Sequence, residues 1–554
     1  MTTKFAISNS KRLSILLQSK RNIKNFPGTE TSNFLDAQLS DKDVQSRINN
    51  DEFSLFSTEQ QNGFTANQIG VNRPVEDRWS AFRLGKASRF VNEHYDEKDA
   101  LVCALEDFEG GHLYTVVDGH GGHTCAHAIN LLHADYLGIA LGPKSFLQNS
   151  LEHILKGDEI RVKKACELVE QCWLRFSESR FSPHSTSSWN HVIGPWGCLD
   201  GTVSMQHSQS LVKYIEESLL TGESGEMNML LNSNDDLCDK DKNIISRKED
   251  ITSPEHLLKI NRNSSQIKDA LLRLDSDITL SAIPSKNKLN KSLLRIVLSG
   301  CVLSSVYVPQ EMNEVIGIQV GDCGIVVGEY KGREDLSGSG ANHSLDDFHG
   351  ELMIPFHNSQ NKSEVMRLKD AHPIHEAEFL IREDRLLGEL MPFRAFGDIR
   401  YKCPEETLKS IATLLDMPPN YPVIPKYFKS PPYLTSSPQV VCRPLDPVNK
   451  NPFIILGTDG LWDMVTPDQA AKVVAKHYLD YQKKPWLAPE GDSAASRLIK
   501  TAFGGDEMSS LRISELLSVP ANIARYYRDD LSVIVVYPNL PNMKDEDSTW
   551  NQRP

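Results

Sequence analysis

The 554-residue chain has no apolar run approaching the roughly 18 residues needed to cross a bilayer, so nothing in it reads as a membrane-spanning helix. Basic charge is also short: 60 lysines and arginines stand against 74 acids, a formal net charge of −14. Nucleic-acid binders draw their affinity from basic groups meeting phosphates, and no basic patch with interleaved aromatics is present to supply it. The ten cysteines include no Cys-x-x-Cys pair, which argues against a zinc site of that type and against a disulfide framework, and fits a reducing compartment. Acids are missing from residues 1–29, where Lys4, Lys11, Arg12, Lys20, Arg21 and Lys24 accompany Phe5, Ile7, Leu13, Ile15, Leu16, Leu17 and several serines. That composition predicts a mitochondrial targeting segment, with a plain basic tail as the alternative. A secretory signal fits poorly, because Leu13 to Leu17 is a short apolar core without a small-residue cleavage site.

What the chain does have is enough apolar matter for a large core, 39% hydrophobic residues with 8% aromatics. It also has aspartates at strand ends. Leu113-Tyr114-Thr115-Val116-Val117 reads as a strand leading into Asp118-Gly119-His120-Gly121-Gly122. Phe453 to Thr458 reads as a second, delivering Asp459-Gly460, and Arg528-Asp529-Asp530 opens a third, Leu531 to Val536. Asp-Gly alone marks a turn more often than a metal site. Three such acids change the odds, since hard divalent cations such as Mg²⁺ and Mn²⁺ take a few carboxylates, a carbonyl and several waters. Because these acids are spread along nearly the whole chain and must meet in one place, one large catalytic domain is the economical reading.

Helix is predicted over Thr124 to Leu141 and Glu159 to Ser177, near Glu364 to Ala371 and Glu376 to Leu387, and after Thr466-Pro467, where a cap residue precedes a first-turn proline. Leu294 to Ser299, Val302 to Val308 and Val315 to Val320 read as successive antiparallel strands. Between about 181 and 268 the pattern breaks down, with eleven acids against six bases from Glu216 to Arg262, and a mobile insertion without assignable structure is expected. Residues 541–554 read as a polar tail. Helices and strands come in blocks rather than strict alternation, which favours an α+β layered fold.

Glu76-Asp77-Arg78, Asp118-Gly119-His120-Gly121-Gly122, Gly321-Asp322, Arg394-Ala395-Phe396-Gly397-Asp398, Thr458-Asp459-Gly460-Leu461-Trp462-Asp463 and Arg528-Asp529-Asp530, in that order, resemble the PP2C-type metal-dependent serine/threonine phosphatases. Asp384 to Phe393, Pro431-Pro432-Tyr433-Leu434-Thr435 and Tyr527-Arg528-Asp529-Asp530 resemble the pyruvate dehydrogenase phosphatase branch in particular. The resemblance spans about residues 35 to 540 and implies two antiparallel β-sheets packed as a central sandwich flanked by α-helices. It implies two Mg²⁺ or Mn²⁺ ions, bridged by Asp118, with the Gly119 carbonyl on one and Asp459 and Asp529 on the other. Glu76 and Asp77 would act through bound water or from behind the ligands. Such a pair of ions ionises a shared water for in-line attack on phosphorus, and His120 would protonate the departing serine oxygen. The same likeness implies phosphoserine of the pyruvate dehydrogenase E1α subunit as substrate, the mitochondrial matrix as location, and docking to the lipoyl domain of E2, with Ca²⁺ for docking and a regulatory subunit.

Several rivals stand beside this reading. Another phosphoprotein substrate, or a catalytically silent phosphoprotein-binding relative, remains open. His120, His123 and His127 have a spacing that could suggest zinc, though no cysteine or carboxylate shares it. Cys301 and Cys323 lack the glycine-rich anion cradle of a thiol phosphatase. Asn72 stands where the wider family has a phosphate-holding arginine, and neither Arg73 nor Arg78 is an evident replacement. Arg394 and Asp398 either brace the fold or line the site.

Overall fold

A computed structural model describes residues 39–49, 51–57, 62–71, 75–84, 111–142, 173–177, 201–220, 254–283, 290–309, 314–331, 344–418, 422–445 and 452–538. The strands in it are β1 (Phe53–Ser57), β2 (Asn62–Ile69), β3 (Arg78–Leu84), β4 (Gly111–His120), β5 (Trp173–Ser177), β6 (Gly300–Pro309), β7 (Glu314–Val320), β8 (Gly324–Tyr330), β9 (Phe348–Leu352), β10 (Ile381–Arg382), β11 (Arg385–Leu386), β12 (Phe396–Gly397), β13 (Gln439–Pro444), β14 (Phe453–Gly457) and β15 (Leu531–Tyr537). The main helices are α1 (Asp41–Asn49), α2 (Thr124–Leu141), α3 (Gly201–Leu220), α4 (Pro254–Ala282), α5 (Lys291–Leu298), α6 (Lys362–Asp370), α7 (Glu405–Leu414), α8 (Pro467–Asp480), α9 (Ala494–Gly504) and α10 (Ser510–Leu517). None of the described helices is long and apolar enough to cross a membrane.

Two antiparallel sheets result. One runs β1-β2-β15-β14-β8-β9; the other runs β13-β7-β6-β4-β3-β5, with β12 pairing onto β6. Side chains alternate across a strand, so each sheet has two faces to cover. Phe64, Trp79, Tyr114, Val302, Val306, Ile325, Ile454, Leu456, Ile534 and Val536 come from both sheets and fill the space between them. Outside the second sheet, α2, α4 and α5 bury Ile129, Leu132, Leu271, Leu274, Leu294 and Val297; outside the first, α8, α9 and α10 bury Val474, Leu498, Ile499 and Ile513. Each buried side chain of this size contributes about 1.5–3 kcal/mol. The expected α+β sandwich with flanking helices is what the chain forms.

Local departures have physical reasons. Leu294 to Ser299 lies mostly in α5 rather than in a strand: Asn290 accepts from the amides of Ser292 and Leu293, and Leu293, Leu294, Ile296 and Val297 fall on the buried side of a helix. Trp173–Ser177, expected as the end of a helix, pairs with β3 instead, while 159–172 lies outside the described residues. Helix after Glu376 stops at Leu380. Glu383 and Asp384 both take left-handed backbone, φ 51° and 62°, which turns the chain into the β10–β11 hairpin. The 181–268 insertion is not structureless throughout: α3 and the first half of α4 fall inside it and bury Leu211, Ile215 and Ile267. Residues 1–29, 181–200, 221–253 and 541–554 lie outside the described residues. The helix over Thr124–Leu141 falls where the spacing put it, and Thr466 caps α8 with Pro467 in its first turn.

Candidate active site

Pairing brings the strand-end acids to one end of the sandwich. β4 lies between β3 and β6, with Arg78 opposite Val117 and His120 opposite Gly300, so Glu76 and Asp77 enter β3 beside the exit of β4 at Asp118. In the other sheet β14 lies against β15 with Gly457 opposite Val533, which sets Asp459 beside the Asp529-Asp530 entry to β15. Thr458 joins the two sheets: its hydroxyl donates to Asp77 Oδ2 at 2.8 Å and accepts from the Ser532 amide at 3.0 Å. Gln68 adds a second link, donating to the Asp77 carbonyl at 3.0 Å and to Ser532 Oγ at 2.9 Å. These bonds are buried, so each lost partner would leave an unsatisfied group at a cost of about 1–3 kcal/mol.

The carboxylates act on one another. Burial, then Asp459, Asp77, Asp529 and Asp322, push Asp118 well above the ordinary carboxylate range. Burial, then Asp529 and Asp322, do the same to Asp459, which also hydrogen-bonds Asp118. Asp77 is raised by burial and Asp530, and Glu76 by the same two causes. Anionic groups that raise one another in this way form a receptor for positive charge. Among the described residues no three His, Cys, Asp or Glu side chains make a ready-made ligand cluster. Carboxylate oxygens are the donors that Mg²⁺ and Mn²⁺ prefer, and such ions take one or two carboxylates and complete their shells with carbonyl and water. Gly119 packs tightly against the segment before β3: a Cβ there would stand 2.7 Å from the Glu76 carbonyl oxygen.

His120 is partly exposed, its side chain 28% accessible, and its Nε2 lies 2.5 Å from Asp398 Oδ2. Burial pulls the imidazole down, yet Asp398, Asp322 and Glu76 outweigh it and hold the ring above its ordinary value. His123 is held below its ordinary value by burial and Arg78, and no trio of histidines forms a zinc site among the described residues. Cys301 is buried against Cys125 with sulfurs 3.5 Å apart, and burial drives the thiols of Cys301 and Cys323 well up, which suits packing and not attack. Arg394 braces the fold, donating through Nε to Glu364 Oε2 at 3.0 Å and through a guanidinium NH to the Ser437 carbonyl at 2.9 Å. Asn72 lies outside the described residues.

Two acids quoted in the sequence motifs, Asp322 and Asp530, receive no role there, and Asp398 stands between bracing the fold and lining the site; each has a place in the structure. Asp322 follows the end of β7 much as Asp118 lies near the end of β4; burial lifts it to about 6 and it bears on both Asp118 and His120. The strand-end rule that found the other aspartates also covers this one. Asp530 accepts from the amides of Val71 at 2.5 Å and Glu76 at 2.7 Å, tying the β15 entry to the segment before β3. Asp398, a candidate for lining the site by its motif alone, meets His120 across 278 positions of sequence, a pairing that no local signal announces.

Residues 221–504, about half of the chain, match the family Protein phosphatase 2C. The chain belongs to the protein phosphatase 2C family. That family is in general dependent on Mg²⁺ or Mn²⁺. The matched span holds Asp322, Asp398 and Asp459, while Asp118 and Asp529 reach the same site from outside it. Among curated relatives, mitochondrial [pyruvate dehydrogenase [acetyl-transferring]]-phosphatase 1 of Bos taurus is 28% identical over 513 residues, covering 86% of this chain and 77% of the relative. The mitochondrial phosphatase 2 of Homo sapiens is 28% identical over 515 residues, covering 86% and 78%. A protein phosphatase 2C homolog of Schizosaccharomyces pombe is 34% identical over 196 residues, 32% of this chain and 41% of that protein.

Proposed function

We propose that this protein phosphatase 2C member is a metal-dependent protein serine/threonine phosphatase that removes phosphate from phosphoserine of the pyruvate dehydrogenase E1α subunit in the mitochondrial matrix, reactivating that complex. The observation that carries the chemistry is the meeting of acids at the joint end of two sheets, where Asp459, Asp77, Asp529 and Asp322 all raise Asp118 and Asp459 also raises Asp77, so that the group favours protons and hence cations. Asp118, the Gly119 carbonyl, Asp459 and Asp529 would hold two Mg²⁺ or Mn²⁺ ions, with Glu76 and Asp77 behind them. Bound there, divalent ions supply charge neutralisation for a phosphate and a more acidic water. The residues do the rest. Thr458 and Asp530 fix the Asp77 and Glu76 segment at hydrogen-bonding distance, and His120, partly open to solvent, protonates the serine oxygen as the phosphorus–oxygen bond breaks.

The substrate assignment is supported by the two mitochondrial relatives, 28% identical in alignments that cover 86% of this chain. The presequence-like composition of residues 1–29 supports the matrix. Docking to the E2 lipoyl domain with Ca²⁺ and a regulatory subunit belongs to the same reading. The test is hydrolysis of an E1α phosphoserine peptide beside unrelated phosphopeptides, with and without Mn²⁺. The reading predicts metal-dependent turnover with at least a ~10-fold preference in kcat/KM for the E1α peptide, ~1.4 kcal/mol of discrimination. Equal turnover of all peptides would move the protein to another phosphoprotein, and no turnover of any would make it a binding relative.

A further inference from the structure

We propose that Asp398 is a positioning residue for the leaving-group step: by accepting a hydrogen bond from His120 Nε2 it orients the ring and commits Nδ1 to the substrate side. The proposal rests on the reading of His120 as the proton donor. Asp398 opens the short helix Ile399–Lys402, yet its side chain makes no capping bond there; Oδ2 lies 2.5 Å from His120 Nε2 instead. Its backbone is left-handed, φ 51° and ψ 41°, a conformation that aspartate reaches more readily than most non-glycine residues. The turn around it is tied down. The Asp398 amide donates to the Ser299 carbonyl at 3.0 Å and the Tyr401 amide donates to the Asp398 carbonyl at 2.9 Å.

From the far side α4 clamps the same turn. Asp275 accepts from the Gly397 amide at 2.8 Å and from Lys402 Nζ at 2.6 Å, and that ammonium also donates to the Ala395 carbonyl at 2.8 Å. Gly300, opposite His120 in the β4–β6 register, leaves room for the pair: a Cβ there would stand 2.1 Å from Asp398 Oδ2 and 2.3 Å from His120 Nε2. In the step itself a water oxygen bonds to phosphorus and gives up a proton to solvent, the bond from phosphorus to the serine oxygen breaks, and a proton leaves Nδ1 of the doubly protonated ring. A new O–H bond forms on serine, and the ring remains as the Nε2–H tautomer that Asp398 is placed to accept. A carboxylate behind an imidazole that fixes tautomer and direction is a recurring way to make the opposite nitrogen competent.

The experiment compares a phosphoserine peptide, whose alkoxide leaves poorly without a proton, with p-nitrophenyl phosphate, whose phenolate leaves without one. His120→Gln is expected to lose ~100-fold or more in kcat on the peptide and under ~10-fold on the aryl ester. Asp398→Asn, which keeps the left-handed backbone accessible, is expected to lose ~10- to 100-fold on the peptide and under ~3-fold on the aryl ester, and to add nothing when combined with His120→Gln. Gly300→Ala, which wedges the pair apart with both partners present, is expected to give the same leaving-group pattern and decides the matter alone should Asp398→Asn fail to fold by circular dichroism. Equal losses on both substrates, or a double variant slower than His120→Gln by the full Asp398→Asn factor, overturn the positioning role. If His120→Gln itself slows both substrates alike, it is the proton-donor reading underneath that fails.

Discussion

Glu364 on α6 sits in a socket of positive charge, and its removal should be felt as a pH-dependent loss of stability. Its side chain is 4% accessible; Arg394 holds both carboxylate oxygens and Arg367 Nε reaches Oε2 at 3.0 Å. Burial alone would raise its pKa, but Arg394 and then Arg367 overcome burial and bring it from 4.5 to about 2. A group whose folded pKa is depressed stabilises the fold above its unfolded pKa and loses that contribution as pH falls toward the folded one. The span of about 2.5 units, at ~1.36 kcal/mol each, gives about 3 kcal/mol at pH 7 and roughly half of that near pH 3. Deleting one partner of a buried ion pair independently suggests ~3–5 kcal/mol, because the Arg394 guanidinium, 11% accessible, would be left without its carboxylate. Urea unfolding of Glu364→Gln against the parent chain should show that gap at pH 7 and its narrowing on acidification. A gap below ~1 kcal/mol, or one that stays constant from pH 7 to pH 3, would refute the reasoning.

Asp118→Asn should remove metal-dependent hydrolysis of p-nitrophenyl phosphate, on the order of a thousandfold, while raising the metal-free melting midpoint by relieving the crowded carboxylates; activity within tenfold of the parent would contradict it. Asp275→Asn strands the Lys402 ammonium, both side chains being 11% accessible, and should cost about 3 kcal/mol in urea unfolding; a neutral effect would mean the α4 clamp is slack. Thr466→Ala breaks the capping box with Gln469 at the start of α8 and should cost about 1 kcal/mol by the same measurement, with a loss under ~0.3 kcal/mol counting against it.

How far the fold could be read depended on whether an element's pattern was local. The Thr124–Leu141 helix and strands β4, β14 and β15 are apolar and bounded by Gly, Asp or Pro, so they were legible. The α5 helix was misread because Leu293-Leu294-Arg295-Ile296-Val297 is as apolar as a strand, and the deciding feature is the single Asn290 side chain at its start. α3 and α4 were missed because their exposed faces dominate composition. Among the described side chains the buried ones form a narrow stripe, Leu211 and Ile215 on one and Ile267, Ala270, Leu271, Leu274, Asp275, Ile278 and Ala282 on the other. The β10–β11 hairpin turns on two non-glycine residues in left-handed backbone, for which the sequence Glu383-Asp384 offers no glycine signal.

The site divides along the same line. Aspartates at strand ends are legible because the strand is a local pattern and the acid its neighbour. Asp398 is not, since what makes it matter is assembled from three places: the β6 position of Gly300, the α4 carboxylate of Asp275 and the β4 exit at His120. That arrangement also explains why α4 accompanies the sandwich so closely. One face of the helix buries Leu271 and Leu274 against the neighbouring helices, and the same turn directs Asp275 into the loop that faces the histidine. A residue of the outer layer thus sets the geometry of a group at the sheet ends. A perturbation of α4 should therefore register first on substrates that need a proton delivered to the leaving oxygen.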